Sequence, residues 1–228
     1  MTLKEQIELA VTRKDWMRLE QILRRMTNSE FRRVQPIVRN EILPRLTNEE
    51  FWEAFRHFLA FRPQAFLSCV HCIEGLIENG TLNLNNSHFI AIGKQLDDRQ
   101  RQKLVSIALS YMPSEQTIRQ LFAAMLIDNT DIRISLLIRE STPLTYYMLF
   151  KTLKEMPDHH DKCVSCCRQI MKKQDDLSYN MASILRAYFG LNEIQGQLSL
   201  KVEHYELSYL EQSFDTFRFV LEGRRPVI

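Results

Sequence analysis

The chain has 228 residues, of which 45% are apolar and 25% charged, and it contains only six glycines and seven prolines. This composition is typical of a folded globular protein and excludes a fully disordered, collagen-like or low-complexity chain. The formal net charge of +2 is too small to mark a dedicated binder of nucleic acids or anionic membranes.

The first residues lack the features of a targeting or membrane segment. Lys4, Glu5 and Glu8 interrupt the uncharged core that a signal peptide needs. The longest uncharged stretches, such as 63–73, are about a dozen residues long, whereas a membrane-spanning helix needs roughly 20. Five cysteines, an odd number in a chain too large to need disulfides, are typical of a reducing compartment. We therefore expect a cytoplasmic protein with no membrane segment.

A run of basic residues, mainly arginines, lies between residues 12 and 45, where nine basic side chains face four acidic ones. Four of the arginines follow one another at intervals of seven residues, and helices stacked side by side would place them on one ridge. The predicted binding residues are Arg18, Arg24, Arg25, Arg32, Arg33 and Arg39. They would meet a partner's carboxylates or the phosphates of a nucleic acid. The alternative is a solvated face with internal ion pairs, such as Glu20 with Arg24.

Helical periodicity and helix-start signals recur along the chain. Apolar residues at helical spacing, such as Phe51, Phe55 and Phe58, predict a buried helix face. Trp52 and Phe61 depart from that stripe, which predicts either burial on both faces or one aromatic left exposed as a contact anchor. The start signals are Thr27, Thr47, Pro63, Asn86, Asp97, Pro113, Asn129, Thr142, His160, Asp175 and Asn192.

Prolines and glycines predict where helices bend or end. Pro36 and Pro44 predict that the stretch 28–46 is kinked or broken, because each proline removes a backbone donor. Gly80 and Gly190 follow apolar turns and are typical of left-handed helix C-caps.

The spacing of the start signals predicts an all-α fold of ten or eleven helices. A pair of helices recurs about every 33 residues, the period of helical-repeat arrays. We therefore expect stacked antiparallel helix pairs, either an α-solenoid-like helical repeat or an irregular helical domain, over residues 1–190. Residues 191–228 are predicted to form a helical segment packed on it. Within them, 198–207 favours helix over a strand or short hairpin, and 223–228 is a disordered tail or a docking peptide.

Two C-x-x-C pairs are the most conspicuous candidates for metal or redox chemistry. Cys69 and Cys72 are separated from Cys163 and Cys166 by more than 90 residues, too far for a finger or ribbon zinc site. Their apolar context favours packing in the core, with zinc binding and redox chemistry as alternatives. The adjacent histidines at 159–160, flanked by Asp158 and Asp161, indicate a polar turn before a helix, with a metal or proton site as the alternative.

The sequence contains no Gly-rich phosphate loop, nucleophile elbow or H-E-x-x-H motif. Paired carboxylates lie at predicted helix starts, where they complement the helix dipole. We therefore predict a non-catalytic scaffold for protein–protein interaction that needs no cofactor or metal. The alternative is a helical-repeat protein that binds nucleic acid through the N-terminal arginines, either as a plain binder or as a base-modifying enzyme.

Overall fold

The structure, a computed structural model, describes residues 1–157, 159–196 and 200–224, with the side chain of Asn86 left out. Within these ranges it consists of fourteen α-helices with short connections and contains no β-strand, which confirms the predicted all-α fold. The helices outnumber the ten or eleven expected because the N-terminal part divides into two helices and two short helices follow residue 200.

The chain packs into two compact units. The first comprises Met1–Tyr111 and Gln120–Ile127, and the second comprises Met112–Arg119 and Asp128–Ile228. The predicted domain boundary between residues 190 and 191 stays a prediction. The helices are α1 Leu3–Thr12, α2 Trp16–Arg25, α3 Asn28–Ile37, α4 Asn48–Phe61, α5 Phe66–Glu78, α6 Asn86–Gly93, α7 Asp98–Leu109, α8 Glu115–Ala124, α9 Thr130–Glu140, α10 Pro143–Glu155, α11 His159–Met171, α12 Asp176–Phe189, α13 His204–Leu207 and α14 Phe214–Leu221.

The predicted start signals are confirmed for α3 to α12, most of them by side-chain caps. The backbone N–H of Glu30 donates to Thr27 Oγ1 at 3.2 Å, and the Glu30 carboxylate accepts the Thr27 N–H at 2.8 Å. This reciprocal capping box satisfies two donors that the first turn leaves unpaired. Asp97 and Thr142 form capping boxes of the same kind at α7 and α10. The side chains of Asn129 and Asp175 accept backbone N–H groups at the starts of α9 and α12. Asn192 is the exception, because it lies in a turn and starts no helix.

The proline and glycine signals are also confirmed. Regular α-helical geometry ends at Ile37, directly after Pro36, and the chain continues as a π-helical turn Val38–Ile42 and a 3-10 turn Leu43–Arg45. Gly80 and Gly190 adopt positive φ angles of 70° and 66° after α5 and α12, the left-handed conformation that a C-cap requires.

Aromatic side chains fill the core of each unit. In the first unit Phe51, Phe55 and Phe58 are fully buried, and Trp52, on another face of α4, is only 3% exposed. Burial on both faces of α4 is therefore confirmed for Trp52, whereas Phe61 stays half-buried. In the second unit the core aromatics include Tyr146, Phe150 and Phe217.

The C-terminal part of the chain is less regular than predicted. Residues 200–203 adopt no regular structure, and His204–Leu207 form a single helical turn. Leu198 and Ser199 of the ambiguous stretch lie outside the described residues, as do residues 225–228 of the proposed tail. No helix among the described residues has both the length and the apolar character that crossing a bilayer demands.

Candidate binding site

A concavity at the N-terminal end of the first unit contains two of the predicted arginines. Arg18 and Arg25 are seven residues apart on α2, so they lie on the same helix face. The concavity has a volume of about 400 Å³, and its walls come from α1, α2 and the start of α3. Its lining includes Leu3, Gln6, Arg18, Ile22, Arg25 and Met26. It therefore combines guanidinium groups with apolar side chains.

One carboxylate, that of Glu30, also lines this concavity. Both the backbone N–H and the hydroxyl of Thr27 donate to its Oε2 at 2.8 Å. These two hydrogen bonds hold the pKa of Glu30 below its usual range, and the bond from the backbone N–H has the larger effect. Glu30 is thus occupied by the helix cap and forms no ion pair with Arg18 or Arg25 in the described structure.

The other four predicted arginines lie on α2, on α3 and in the π-helical turn that follows α3. The Arg24 guanidinium covers the ring of Phe61, 4.7 Å from its centroid, in a cation–π contact. Arg32 and Arg33 are exposed on α3, and Arg39 Nε donates to Asn40 Oδ1 at 2.9 Å. The concavity therefore unites only two of the four arginines that the seven-residue spacing aligns.

These six arginines differ in their pairing from two of their basic neighbours, Lys14 and Arg45. Lys14 lies 3.1 Å from Glu50, and Arg45 lies 3.2 Å from Glu8. No such ion pair involves any of the six predicted arginines in the described part of the chain. The suggested pair of Glu20 with Arg24 does not form either, because Glu20 contacts a histidine instead. The arginine surface, defined as Arg18, Arg24, Arg25, Arg32, Arg33 and Arg39, thus carries positive charge that the surrounding described residues do not pair.

One buried histidine, His57 on α4, contacts residues of α2, and the sequence analysis did not predict these contacts. His57 Nδ1 lies 2.9 Å from Glu20 Oε1, and His57 Nε2 lies 3.1 Å from Glu53 Oε1. Its imidazole stacks on Trp16, with ring centroids 5.4 Å apart and planes 13° apart. Arg56 contacts the same Glu53 oxygen at 2.5 Å. Of these contacts, only the one between Glu53 and His57 has a signal in the sequence, because the two residues are four positions apart on one helix.

Arg62 fixes the turn that joins α2 to α3. Its Nη2 donates to the carbonyl oxygens of Leu23, at 2.6 Å, and Met26, and its Nη1 donates to Asn28 Oδ1 at 3.1 Å. These bonds satisfy carbonyl groups that the end of α2 leaves unpaired. Arg24 and Arg25 therefore lie next to a turn held by several hydrogen bonds.

The cysteines are core residues, as the sequence analysis favoured. All five are free and buried. Burial raises the pKa of Cys72 and Cys163 to about 11 and that of Cys166 and Cys167 to about 12. Cys69 and Cys72 belong to the first unit, and the other three belong to the second. Among the described residues, no group of three or more His, Cys, Asp or Glu side chains is arranged to hold a metal ion.

The two adjacent histidines have separate partners. His160 Nε2 lies 2.6 Å from Glu193 Oε1 in an exposed pair, whereas His159 Nδ1 lies 3.3 Å from the carbonyl oxygen of Met156. Asp158, which the sequence analysis grouped with them, lies outside the described residues. The described contacts are those of a polar helix start.

Comparison of the chain with protein-family models, with curated proteins and with solved structures finds no match. Because a fold does not by itself fix function, the chemistry of the arginine surface is the guide to what the protein binds.

Proposed function

We propose that the protein is a non-catalytic scaffold whose arginine surface binds an acidic segment of another protein. The observation that carries this proposal is the contrast in pairing: six arginines have no ion pair among the described residues, whereas Lys14 and Arg45 do. A guanidinium group binds a carboxylate through two parallel hydrogen bonds, so unpaired arginines suit a carboxylate-bearing partner.

The lining of the concavity supports a protein partner over a nucleic acid. Leu3, Ile22 and Met26 lie beside Arg18 and Arg25, so a ligand there meets apolar surface as well as cations. An acidic peptide with interspersed leucines fits both parts, whereas a phosphate backbone fits only the cations. The helix pairs α1–α2, α9–α10 and α11–α12 are consistent with a helical-repeat array, and buried free thiols suit the cytoplasm.

The test uses the full chain and a short labelled peptide in which glutamates flank leucines. Replacing Arg24, Arg25, Arg32 and Arg33 with Ser should weaken binding by about tenfold or more, because charge-assisted contacts contribute roughly 1.5–3 kcal/mol each. The control variant replaces four exposed basic residues elsewhere with Ser and should bind as the parent does: Lys94, Arg168, Lys172 and Arg186.

Three results would contradict the proposal. The control variant could lose as much affinity as the arginine variant, or a peptide with Gln in place of Glu could bind equally well. An oligonucleotide could also bind more tightly than the acidic peptide, with affinity that falls steeply as salt rises. That last result would establish the nucleic-acid alternative, because phosphate contacts release counterions. Unchanged circular dichroism of both variants confirms that they are folded.

A further inference from the structure

A second concavity in the first unit shares no residue with the arginine surface. It lies between the start of α5 and the start of α7 and has a volume of about 600 Å³. Its lining includes Pro63, Phe66, Leu67, Arg99, Gln100 and Lys103, and we call it the α5–α7 groove. A cavity of this size is in the range of ligand-binding sites in proteins.

The α5 side of the groove is apolar. Phe66 is 3% exposed and points into the core, whereas the adjacent Leu67 is 60% exposed, because consecutive helix positions differ by about 100°. The 3-10 turn Pro63–Ala65 leads into α5 and adds the Pro63 ring to the same wall. A hydrogen bond also joins α5 to α3, since Gln35 Nε2 donates to Ser68 Oγ at 2.7 Å. The apolar wall is therefore held in place.

The α7 side of the groove is positively charged. Arg99 and Lys103 are four residues apart on α7, so they lie on the same helix face, and both are exposed. Neither has an ion pair among the described residues. One carboxylate, that of Asp97, also lines the groove, and its Oδ1 accepts the backbone N–H of Gln100 at 2.8 Å. The neighbouring Asp98 pairs with Arg101.

Exposure of one leucine needs no explanation on its own, because most protein surfaces contain apolar side chains. Ile90 on α6 is 58% exposed in the same unit and does not line this groove. What distinguishes Leu67 is its position on the wall of a concavity opposite two unpaired cations one helical turn apart. That combination of apolar wall and positive rim is complementary to an amphipathic, acidic ligand.

We infer that the α5–α7 groove binds an acidic amphipathic helix of a partner protein. An apolar side chain of that helix packs on Pro63 and Leu67, and two of its carboxylates, four residues apart, meet Arg99 and Lys103. A helix that lays its apolar face into a groove is a recurrent mode of peptide recognition. Charge excludes the chain's own last segment as the occupant, since residues 223–228 carry two arginines and no acidic side chain.

The test measures binding of a labelled helical peptide that carries a leucine stripe and two glutamates four residues apart. The double variant Arg99→Glu/Lys103→Glu should weaken binding by about tenfold or more, because it replaces attraction with repulsion. Leu67→Ala should weaken binding several-fold. The matched controls, Ile90→Ala and Lys94→Glu, should leave binding unchanged, because both side chains are exposed in the same unit but lie outside the groove.

A charge-reversed peptide completes the design. The peptide with lysines in place of its two glutamates should bind the Arg99→Glu/Lys103→Glu variant better than it binds the parent chain. The variant in which Arg24, Arg25, Arg32 and Arg33 are Ser should keep the part of the binding that Leu67→Ala weakens, since the two sites share no residue. Equal losses in the controls, equal binding of a Gln-substituted peptide, or anionic vesicles that bind independently of Leu67 would overturn the inference.

Discussion

Gly93 offers the sharpest test of the packing in the first unit. It is the last residue of α6, and a Cβ atom at this position would lie 2.5 Å from the carbonyl oxygen of Ala124. Real Cβ atoms essentially never approach another atom so closely, and the obstructing atom belongs to the backbone rather than to a flexible side chain. Gly93→Ala should therefore force α6 and the end of α8 apart.

The magnitude follows from two opposing contributions. Alanine is favoured over glycine by about 1 kcal/mol in a helix interior, and by less at the last residue. Inserting extra atoms into well-packed structure costs about 1–3 kcal/mol. Because backbone cannot move as cheaply as a side chain, we place the cost at the upper end and expect a net destabilisation of about 1–2 kcal/mol.

Gly75 in α5 is the matched control. It is also helical, and a Cβ atom added to it would meet nothing within 4 Å. Gly75→Ala should therefore stabilise the protein by about 0.5–1 kcal/mol, through the lower backbone entropy of the unfolded chain. The two substitutions are chemically identical, so the difference in sign isolates the steric contact.

Urea unfolding followed by tryptophan fluorescence is a suitable assay, because the two tryptophans, Trp16 and Trp52, both belong to the first unit. The expected result is a lower unfolding midpoint for Gly93→Ala and a higher one for Gly75→Ala, with unchanged slopes. If Gly93→Ala is as stable as the parent chain or more stable, the close approach of α6 to Ala124 is wrong.

Three further perturbations have defined outcomes. A thiol reagent at pH 8 should modify the five cysteines slowly in the native protein and fully in denaturant, because burial raises their pKa values and blocks access; rapid native labelling would contradict this. Burial disfavours the charge of Glu115, but hydrogen bonds from Lys151 and Arg119 outweigh it and lower its pKa. Glu115→Gln should therefore reduce the free energy of unfolding at pH 7, and this effect should shrink as the pH falls through the lowered pKa of Glu115 and the native carboxylate becomes protonated; an effect that stays constant as the pH falls would refute this. His57→Ala should cost about 2–3 kcal/mol in the tryptophan-detected transition, because it removes a buried imidazole together with its contacts to two half-buried carboxylates and its stacking on Trp16; an unchanged unfolding midpoint would contradict this.

The helix starts were predictable because their signals are local. At Thr27 the cap and its partner Glu30 are three residues apart, so the residues that form the hydrogen bonds are adjacent in the sequence. Asn192 shows where this reasoning fails. It has a residue type suited to an N-cap, but Gly196 follows with a φ of 141°, which is incompatible with a helix at that point. A cap signal predicts a helix only when the next residues can continue one.

The pairing of surface charges could not be predicted, because it depends on contacts between distant parts of the chain. The four-residue spacing of Glu20 and Arg24 favoured an ion pair on one helix. In the structure Glu20 contacts His57, and Arg24 packs on Phe61, both on α4. The seven-residue spacing of the arginines likewise applies within α2, where Arg18 and Arg25 share a face, and loses its meaning across the turn to α3.

The unpaired cations of both surfaces have a common energetic basis. An exposed ion pair within the fold contributes only about 0–1 kcal/mol, so leaving Arg25 or Arg99 without one costs the protein little stability. A partner that brings a carboxylate to such an arginine does not have to break an existing pair first, and it therefore gains the full strength of the contact. Beside the apolar wall formed by Leu67, the same contact is also shielded from water on one side, which strengthens it further. Both surfaces therefore keep their cations unpaired at almost no cost to the fold.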